Sequence, residues 1–457
     1  MQLVKDYIKL LPLFFIGCLL VFNRPFVGLS VFGFRIGEIL VGLGFLFSLL
    51  LFFIFVLNNN KYIKNLPYSS VAIYCLIIFS FFISLYMNDT QIARTYTYRI
   101  SSYIWTTGYF FIGHYLFSNH DIFRKYKWWI VATFMFVPIA HYFMSTGYYP
   151  NYIIKFFNIY SDKFEFTKAS DIFLSYVVAN IFLYKLITSK YFKFSYLLAT
   201  SALLFPLLLL MSRGAFIGSF IFFLISIYYF RFFMIQNLKK TIIMILISAG
   251  ILLLSIFNVN EIDFGFNINF SGDIILQPSQ IAGEDLSISN NILKIVRKGE
   301  QRKAFLSLYF ENGRLYSIDQ TTNWRFDIWQ DTFEDMLNKN IFLRGYGYNE
   351  ILPIMTDPTA PGRLGRDGLN EHVHNYFVNI IARGGIIQFI LFLFFHISIL
   401  LFWKKSYLNN NVLVFVFPIL ITSTFDMNME GVQFPIIFYS IYAYLITTQQ
   451  KSKLIHK

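Results

Sequence analysis

At 457 residues, 56% of them hydrophobic and only 14% charged, the chain departs from the composition of a soluble domain, which carries about 25% charged residues. Its net charge of +13 would suit nucleic acid, but the basic residues stand in short clusters at the ends of apolar runs, so that ligand class is set aside. The two cysteines, Cys18 and Cys75, lie inside apolar runs and offer neither a bridge nor a metal site.

Apolar runs of roughly 17–25 residues mark membrane-spanning helices. In chain order, hydropathy windows predict spans at roughly 7–23, 36–57, 68–87, 100–117, 128–146, 170–187, 195–211, 214–230, 241–257, 375–403, 411–425 and 432–448. The first follows Lys5 and Lys9 and imitates a signal peptide. No small-residue cleavage site follows it, so it reads as an uncleaved span. Phe15-Ile16-Gly17-Cys18 has the wrong first residue for a lipoprotein box. The expected fold is an all-α polytopic membrane protein of about twelve transmembrane helices, with one large extracytoplasmic loop domain between the ninth and tenth. The predicted divisions are helices in 1–257, the loop domain in 258–373, helices again in 374–450, and a basic tail in 451–457.

Orientation follows from lysine and arginine. Lys61 and Lys64, then Arg124, Lys125 and Lys127, then Lys190 and Lys193, then Lys239 and Lys240, then Lys404 and Lys405 fall in alternate loops. With Lys5 and the tail lysines they form a cytoplasmic set, which puts both termini inside a bacterial inner membrane. The Tyr148–Lys168 loop is the awkward one, since it carries Lys155, Lys163 and Lys168 on the outer side.

Within the polar segment, Phe264–Asn290 alternates polar and apolar residues and predicts short strands or loop. Asn323–Asn340 has apolar residues at helical spacing and predicts an amphipathic helix, capped by Thr321, Thr322 or Asn323 and followed by Gly345. The chain shows no internal repeat, which weighs against inverted-repeat transporters.

Few residues could do chemistry, and they gather on the outer side. Arg213, in Met211-Ser212-Arg213-Gly214-Ala215, interrupts a long apolar stretch. An arginine costs about 2.5–3.5 kcal/mol at the bilayer centre and less near the interface, a cost that pairing with an anion offsets. The alternative is a plain turn whose arginine snorkels to water. Arg325 and Trp329 stand four apart and share a helix face. Arg325 lies in the first turn, where a planar fork of donors suits phosphate. An Arg–Trp stack holding the domain together is the competing reading.

Glu371-His372-Val373-His374 precedes a span, and a histidine there can act as a base near neutral pH. A His-x-His metal site with Asp367 and Glu371, or a purely structural pair, are the alternatives. Gly384-Gly385 permits close helix packing. His114, His141 and His396 read as packing or interhelical hydrogen bonds. Asp426 and Glu430 flank the last outward turn, where carboxylates are functional candidates or simply solvated.

Three features together resemble the bacterial O-antigen ligase and O-antigen polymerase superfamily. They are Ser212-Arg213-Gly214-Ala215 at a span end, Arg325-x-x-x-Trp329 with Gly345-x-Gly347, and His374-Asn375 followed ten residues on by Gly384-Gly385. The resemblance covers roughly 200–400, and the span layout extends it. Two departures stand out. Arg383 occupies a position where that family usually has an acidic or polar residue, and 260–320 is longer than its common pattern.

The resemblance implies a GT-C-type glycosyltransferase, needing no metal or other cofactor. Its donor is a polyprenyl (undecaprenyl) diphosphate-linked oligosaccharide, and its acceptor a glycan or lipid A-core. Membrane lipids surround it, and a chain-length regulator is a candidate partner. Arg213 and Arg325 would stabilise the leaving diphosphate. His374 would be the acceptor-activating base, with His372 as understudy, and Trp329, His372, Asn375 and Asp426 would bind substrate. A diphosphate is already a good leaving group, so no protonating carboxylic acid is required, unlike glycoside hydrolysis. Composition leans toward O-antigen polymerase over ligase. A lipid-linked-glycan flippase is the rival from another class, and would place polar residues through mid-span regions that here are mostly Phe, Leu and Ile.

Overall fold

The computed structural model describes residues 2–57, 66–91, 94–117, 123, 125–148, 150–162, 167–259, 308–317, 320–360, 363–364, 371–406, 411–426 and 428–454. Helices stand at every predicted window. They are α1 (Gln2–Val27), α2 (Ile36–Val56), α3 (Tyr68–Met87), the broken run α4 (Thr95–Ile100), α5 (Ser102–Thr107) and α6 (Tyr109–Leu116), and α7 (Lys127–Ser145). After the short α8 (Asn151–Tyr160) come α9 (Ala169–Leu186), α10 (Lys190–Met211), α11 (Arg213–Gln236) and α12 (Leu238–Val259). Among the described residues nine helices are long and apolar enough to cross a membrane. The protein is an all-α, multi-pass membrane protein.

Two helices form the axis. In α9, and in the apolar Gln433–Thr447 part of the last helix, almost every side chain is buried, as expected of helices hydrophobic all round. By contrast α12 leaves nearly its whole apolar surface outward, the behaviour of a lipid-facing helix. His141 ties three helices together, with Nδ1 3.1 Å from the Ser175 hydroxyl and Nε2 3.1 Å from the Val21 carbonyl. That is the interhelical hydrogen bonding expected of it.

The fourth window is not one helix. The Gly108 amide bonds the Trp105 carbonyl at 3.1 Å in a tightened turn, which leaves the Ile104 carbonyl without its usual helical donor. Tyr74 supplies the donor, with its hydroxyl 2.9 Å from that oxygen and 2.7 Å from Ser48. A broken helix survives in an apolar setting only when neighbours satisfy the freed backbone in this way.

The awkward Tyr148–Lys168 loop contains α8, an amphipathic helix. It buries Phe157 and exposes Tyr152, Phe156, Ile159 and Tyr160, the pattern of a helix lying in a membrane interface.

After α12 the described chain resumes as a hairpin, β1 (Leu308–Glu311) and β2 (Arg314–Ser317), antiparallel with Glu311 opposite Arg314. Asn312 and Gly313 both have positive φ, 49° and 80°, the two-residue turn that Asn-Gly favours. The strands expected at Phe264–Asn290 lie outside the described residues.

The hairpin docks on the predicted amphipathic helix, α13, which runs Gln320–Asn338. The Gln330 side chain accepts from the Leu315 amide at 2.6 Å and donates to its carbonyl at 2.9 Å. Gly345 follows the end of this helix, as expected, but the residue that closes it is Asn340, at φ 53°, with Ile341 N bonding Met336 O and Asn340 N bonding Leu337 O. That is a Schellman closure, and Met336 and Ile341 make its apolar contact. Asn323, a candidate cap, instead accepts from the Ser317 amide at 3.1 Å.

The chain then returns as α14 (Tyr376–Ser406), α15 (Asn411–Ser423) and α16 (Gln433–Leu454). The ends of α1, α3, α7, α10 and α15 and the starts of α9, α11, α14 and α16 share one end of the bundle with α13. Contacts from Asn23 to His141, Arg94 to Asn349 and Arg325 to Phe425 fix that arrangement.

Candidate functional site

Two side chains clamp α13 to the bundle. Arg325 donates from Nη1 to the Phe425 carbonyl at 2.8 Å, and Trp329 donates from Nε1 to the Val373 carbonyl at 2.6 Å. They share a face, as their spacing requires, but reach different segments of chain rather than stacking on each other. Arg325 is thereby held at the turn between α15 and α16.

The start of α11, where Arg213 stands, approaches the same turn. Ser212 alone joins α10 to α11, in extended conformation, and its hydroxyl caps the Ala215 amide at 3.4 Å. Arg213 is therefore the first residue of α11, and its neighbour Gly214 lies against the Phe425 side chain. A one-residue turn and a bare Cα bring the helix start, with its partial positive charge, close to Phe425 and Asp426. Asp171, in the first turn of α9, is flanked by Asp426, Arg24 and Lys168 and hydrogen-bonded by Gln433. Lys168 thus faces the site, which accounts for one of the lysines on the outer side.

The histidines differ in environment. His374 adopts left-handed backbone, φ 53°, and its ring packs 5.1 Å from that of Trp324. Burial, then the charges of Arg325, His372 and Lys168, push its imidazolium down to about 3. It is neutral at physiological pH, with low proton affinity. His372 places Nδ1 3.0 Å from Glu430 Oε2. Burial raises the Glu430 carboxyl, and His372 partly offsets this. Asn375 caps α14, its side-chain oxygen accepting from Phe377 N at 2.9 Å and Val378 N at 3.1 Å. Its amide oxygen is thus engaged with the helix start.

The glycine motifs are a docking device. Gly385 takes φ 73° inside α14 and breaks the helix there. The carbonyls this frees receive the preceding loop: Tyr346 N bonds Ala382 O at 2.8 Å and Gly347 N bonds Arg383 O at 3.0 Å, while Ile386 N reaches back to Phe342 O at 3.0 Å. A Cβ on Gly345 would stand 2.5 Å from the Arg383 carbonyl, and one on Gly385 would overlap the Leu343 carbonyl. The close packing expected of Gly384-Gly385 is therefore of loop on broken helix.

Arg383, the departure from the family pattern, fastens the same joint. It is 1% exposed and donates to the carbonyls of Glu350 at 2.6 Å and Gly347 at 3.3 Å, and to Tyr96 Oη at 2.9 Å.

Residues 198–393 match the family model described as O-antigen ligase. That segment belongs to the O-antigen ligase/polymerase superfamily. It runs from inside α10 to inside α14, and it holds Arg213, Arg325, Trp329, His372, His374 and Asn375, with Asp426 beyond its end. No curated protein matches the chain.

Beside these residues lies a cavity of about 770 Å³. His372 and Glu430 line it, with Glu371, Arg24, Arg35 and Arg99. Arg99 pairs with Glu371, and Arg35 pairs with Asp162 at 2.5 Å. Sequence reasoning missed Arg24, Arg35, Arg99, Asp171 and Trp324. They sit on separate elements far apart in the chain, and for all but Trp324 the only signal was charge at outward span ends. Among the described residues no three His, Cys, Asp or Glu side chains converge as metal ligands would.

Proposed function

We propose that the protein transfers a glycan from polyprenyl (undecaprenyl) diphosphate to a sugar hydroxyl at the periplasmic face of the bacterial inner membrane, by GT-C-type chemistry without a metal. The observation that carries this reading is the approach of Arg325 and the Arg213 helix start to one turn, Phe425–Asp426, with neutral His374 beside Arg325. Breaking a glycosyl–diphosphate bond leaves negative charge on phosphate, and fixed guanidiniums stabilise it as it grows. His374 orients the reacting oxygens by hydrogen bonding. Trp329 holds the helix that presents Arg325, and Asn375 holds the start of α14.

The acceptor we assign is a second lipid-linked repeat unit, making the protein an O-antigen polymerase with a chain-length regulator as partner. Transfer to lipid A-core has the description of the matched family in its favour. Both termini are placed in the cytoplasm because the lysine-rich turns lie opposite the site, and 258–373 is assigned as the periplasmic domain.

Wild type, Arg325→Ala and His374→Ala should be expressed in strains lacking polymerase or ligase, and lipopolysaccharide resolved on gels. Long chains restored in the polymerase-deficient strain and lost in the variants at equal protein level support the assignment. Rescue of the ligase-deficient strain alone makes it a ligase. Activity in both variants equal to wild type removes these residues from the mechanism.

A further inference from the structure

The transfer scheme above leaves the cavity beside His372 unused. Its charges nearly cancel, since three arginines, Arg24, Arg35 and Arg99, stand among four carboxyl groups, Glu38, Asp162, Glu371 and Glu430. Arg35 and Arg99 are already engaged by carboxylates. Such a lining does not ask for a second diphosphate. It offers fixed donors and acceptors, with the rings of Tyr96 and Tyr98, which is the chemistry that holds a neutral polyhydroxylated ligand.

His372 is placed to act on that ligand. The Glu430 side chain is 5% exposed and meets Nδ1 of His372, whose own side chain is 32% exposed. A buried carboxylate 3.0 Å from Nδ1 favours the tautomer with the proton on that nitrogen, which leaves the lone pair on Nε2. The chain bends at His372 and again at His374, where φ is 53°, and the two rings have different surroundings. One ring packs on Trp324 near Arg325, and the other lines the cavity beside Glu430.

We propose that His372, positioned by Glu430, is the proton acceptor of the transfer and that the cavity it lines receives the acceptor sugar. This rests on the glycosyl-transfer reading. The acceptor O–H bond breaks and its proton goes to His372 Nε2. The oxygen bonds the anomeric carbon, and the bond from that carbon to the diphosphate oxygen breaks, its electron pair leaving on the lipid diphosphate. The imidazolium formed faces the Glu430 carboxylate. Around the pair stand Glu371 and His374 from the same segment, Arg99 from α4, Arg383 from α14, and Asp426.

The test uses full-length protein in lipid vesicles, with lipid-diphosphate oligosaccharide extracted from cells lacking it and, as acceptor, that extract or their lipopolysaccharide. Product is followed from about pH 5 to about pH 9. Wild type inactive with both acceptors overturns the glycosyl-transfer reading itself, and with it this inference. Given wild-type activity, His372→Asn should lower kcat about 10²–10⁴-fold. Glu430→Gln should lower kcat about 10–100-fold with the acceptor KM kept, because the ring loses the carboxylate that orients it, and Glu430→Asp should restore it. Arg99→Ala should raise the acceptor KM about tenfold with kcat kept. His372→Asn within about threefold of wild type, or a kcat in Glu430→Gln equal to wild type, overturns the proton-acceptor role. An unchanged KM in Arg99→Ala overturns the cavity assignment.

Discussion

The two ends of the helical bundle are built differently. At the end carrying Arg213, Arg325 and His374, the backbone turns left-handed at Asn23, Phe32, Asp89, Asn340 and His374 and at glycines including Gly345 and Gly385. At the opposite end, where Lys127, Lys190, Lys239, Lys240 and Lys404 gather, no described residue does so. There the helices simply stop, and lysines meet the last carbonyls, as Lys193 Nζ does at Tyr184 O, 2.9 Å away. A cation at a helix C-terminus needs no special backbone. Bringing side chains from α11, α13, α14 and the turn before α16 to one place does, because regular helices running side by side cannot deliver them. Irregular backbone costs about 1–3 kcal/mol per residue, and it is concentrated where the proposed chemistry is.

Substitutions should respect that asymmetry. Gly385→Val should be the most damaging, because it opposes both a φ of 73° and the Leu343 carbonyl. We expect loss of about 4 kcal/mol or more, read as failure to accumulate folded protein in membranes. Arg383→Met should follow at about 2–3 kcal/mol, since it strands the Gly347 and Glu350 carbonyls in a buried joint. Thermal unfolding in detergent would measure it, and an unchanged transition would show that the loop is held by other means. Trp329→Phe keeps an aromatic ring, though a smaller one, and removes the hydrogen bond to Val373 O. It should cost about 1 kcal/mol and lower transfer more than stability if it positions Arg325. Lys240→Ala, at the opposite end, should stay within about 0.5 kcal/mol of wild type with full activity. A larger effect there would undo the comparison.

Much of this was legible in the chain. Every apolar window became helix, since about twenty apolar residues have no better solution in a bilayer than satisfying their backbone internally. The period of Phe326 to Leu337 was enough to place α13, because an amphipathic stripe needs only local spacing. That Gly345 follows it was legible too, but not that Asn340 closes it, as both carry left-handed signals and only the docking of Gly345 on α14 tells them apart. The break at Gly108 was invisible too, because Tyr74, which satisfies the freed carbonyl, comes from another helix. The Asn312-Gly313 turn was readable locally and was passed over.

What the sequence determined by itself was membrane residence, the helices, and a set of arginines and histidines at outward span ends, all consequences of composition and short-range period. Only the tertiary structure decided what those residues meet. It set Arg325 on Phe425, buried His374 against Trp324, spent Asn375 on a cap, and paired His372 with Glu430, 58 residues further along the chain. Whether a histidine is a base depends on its neighbours and its water, and neither is written in its flanking residues.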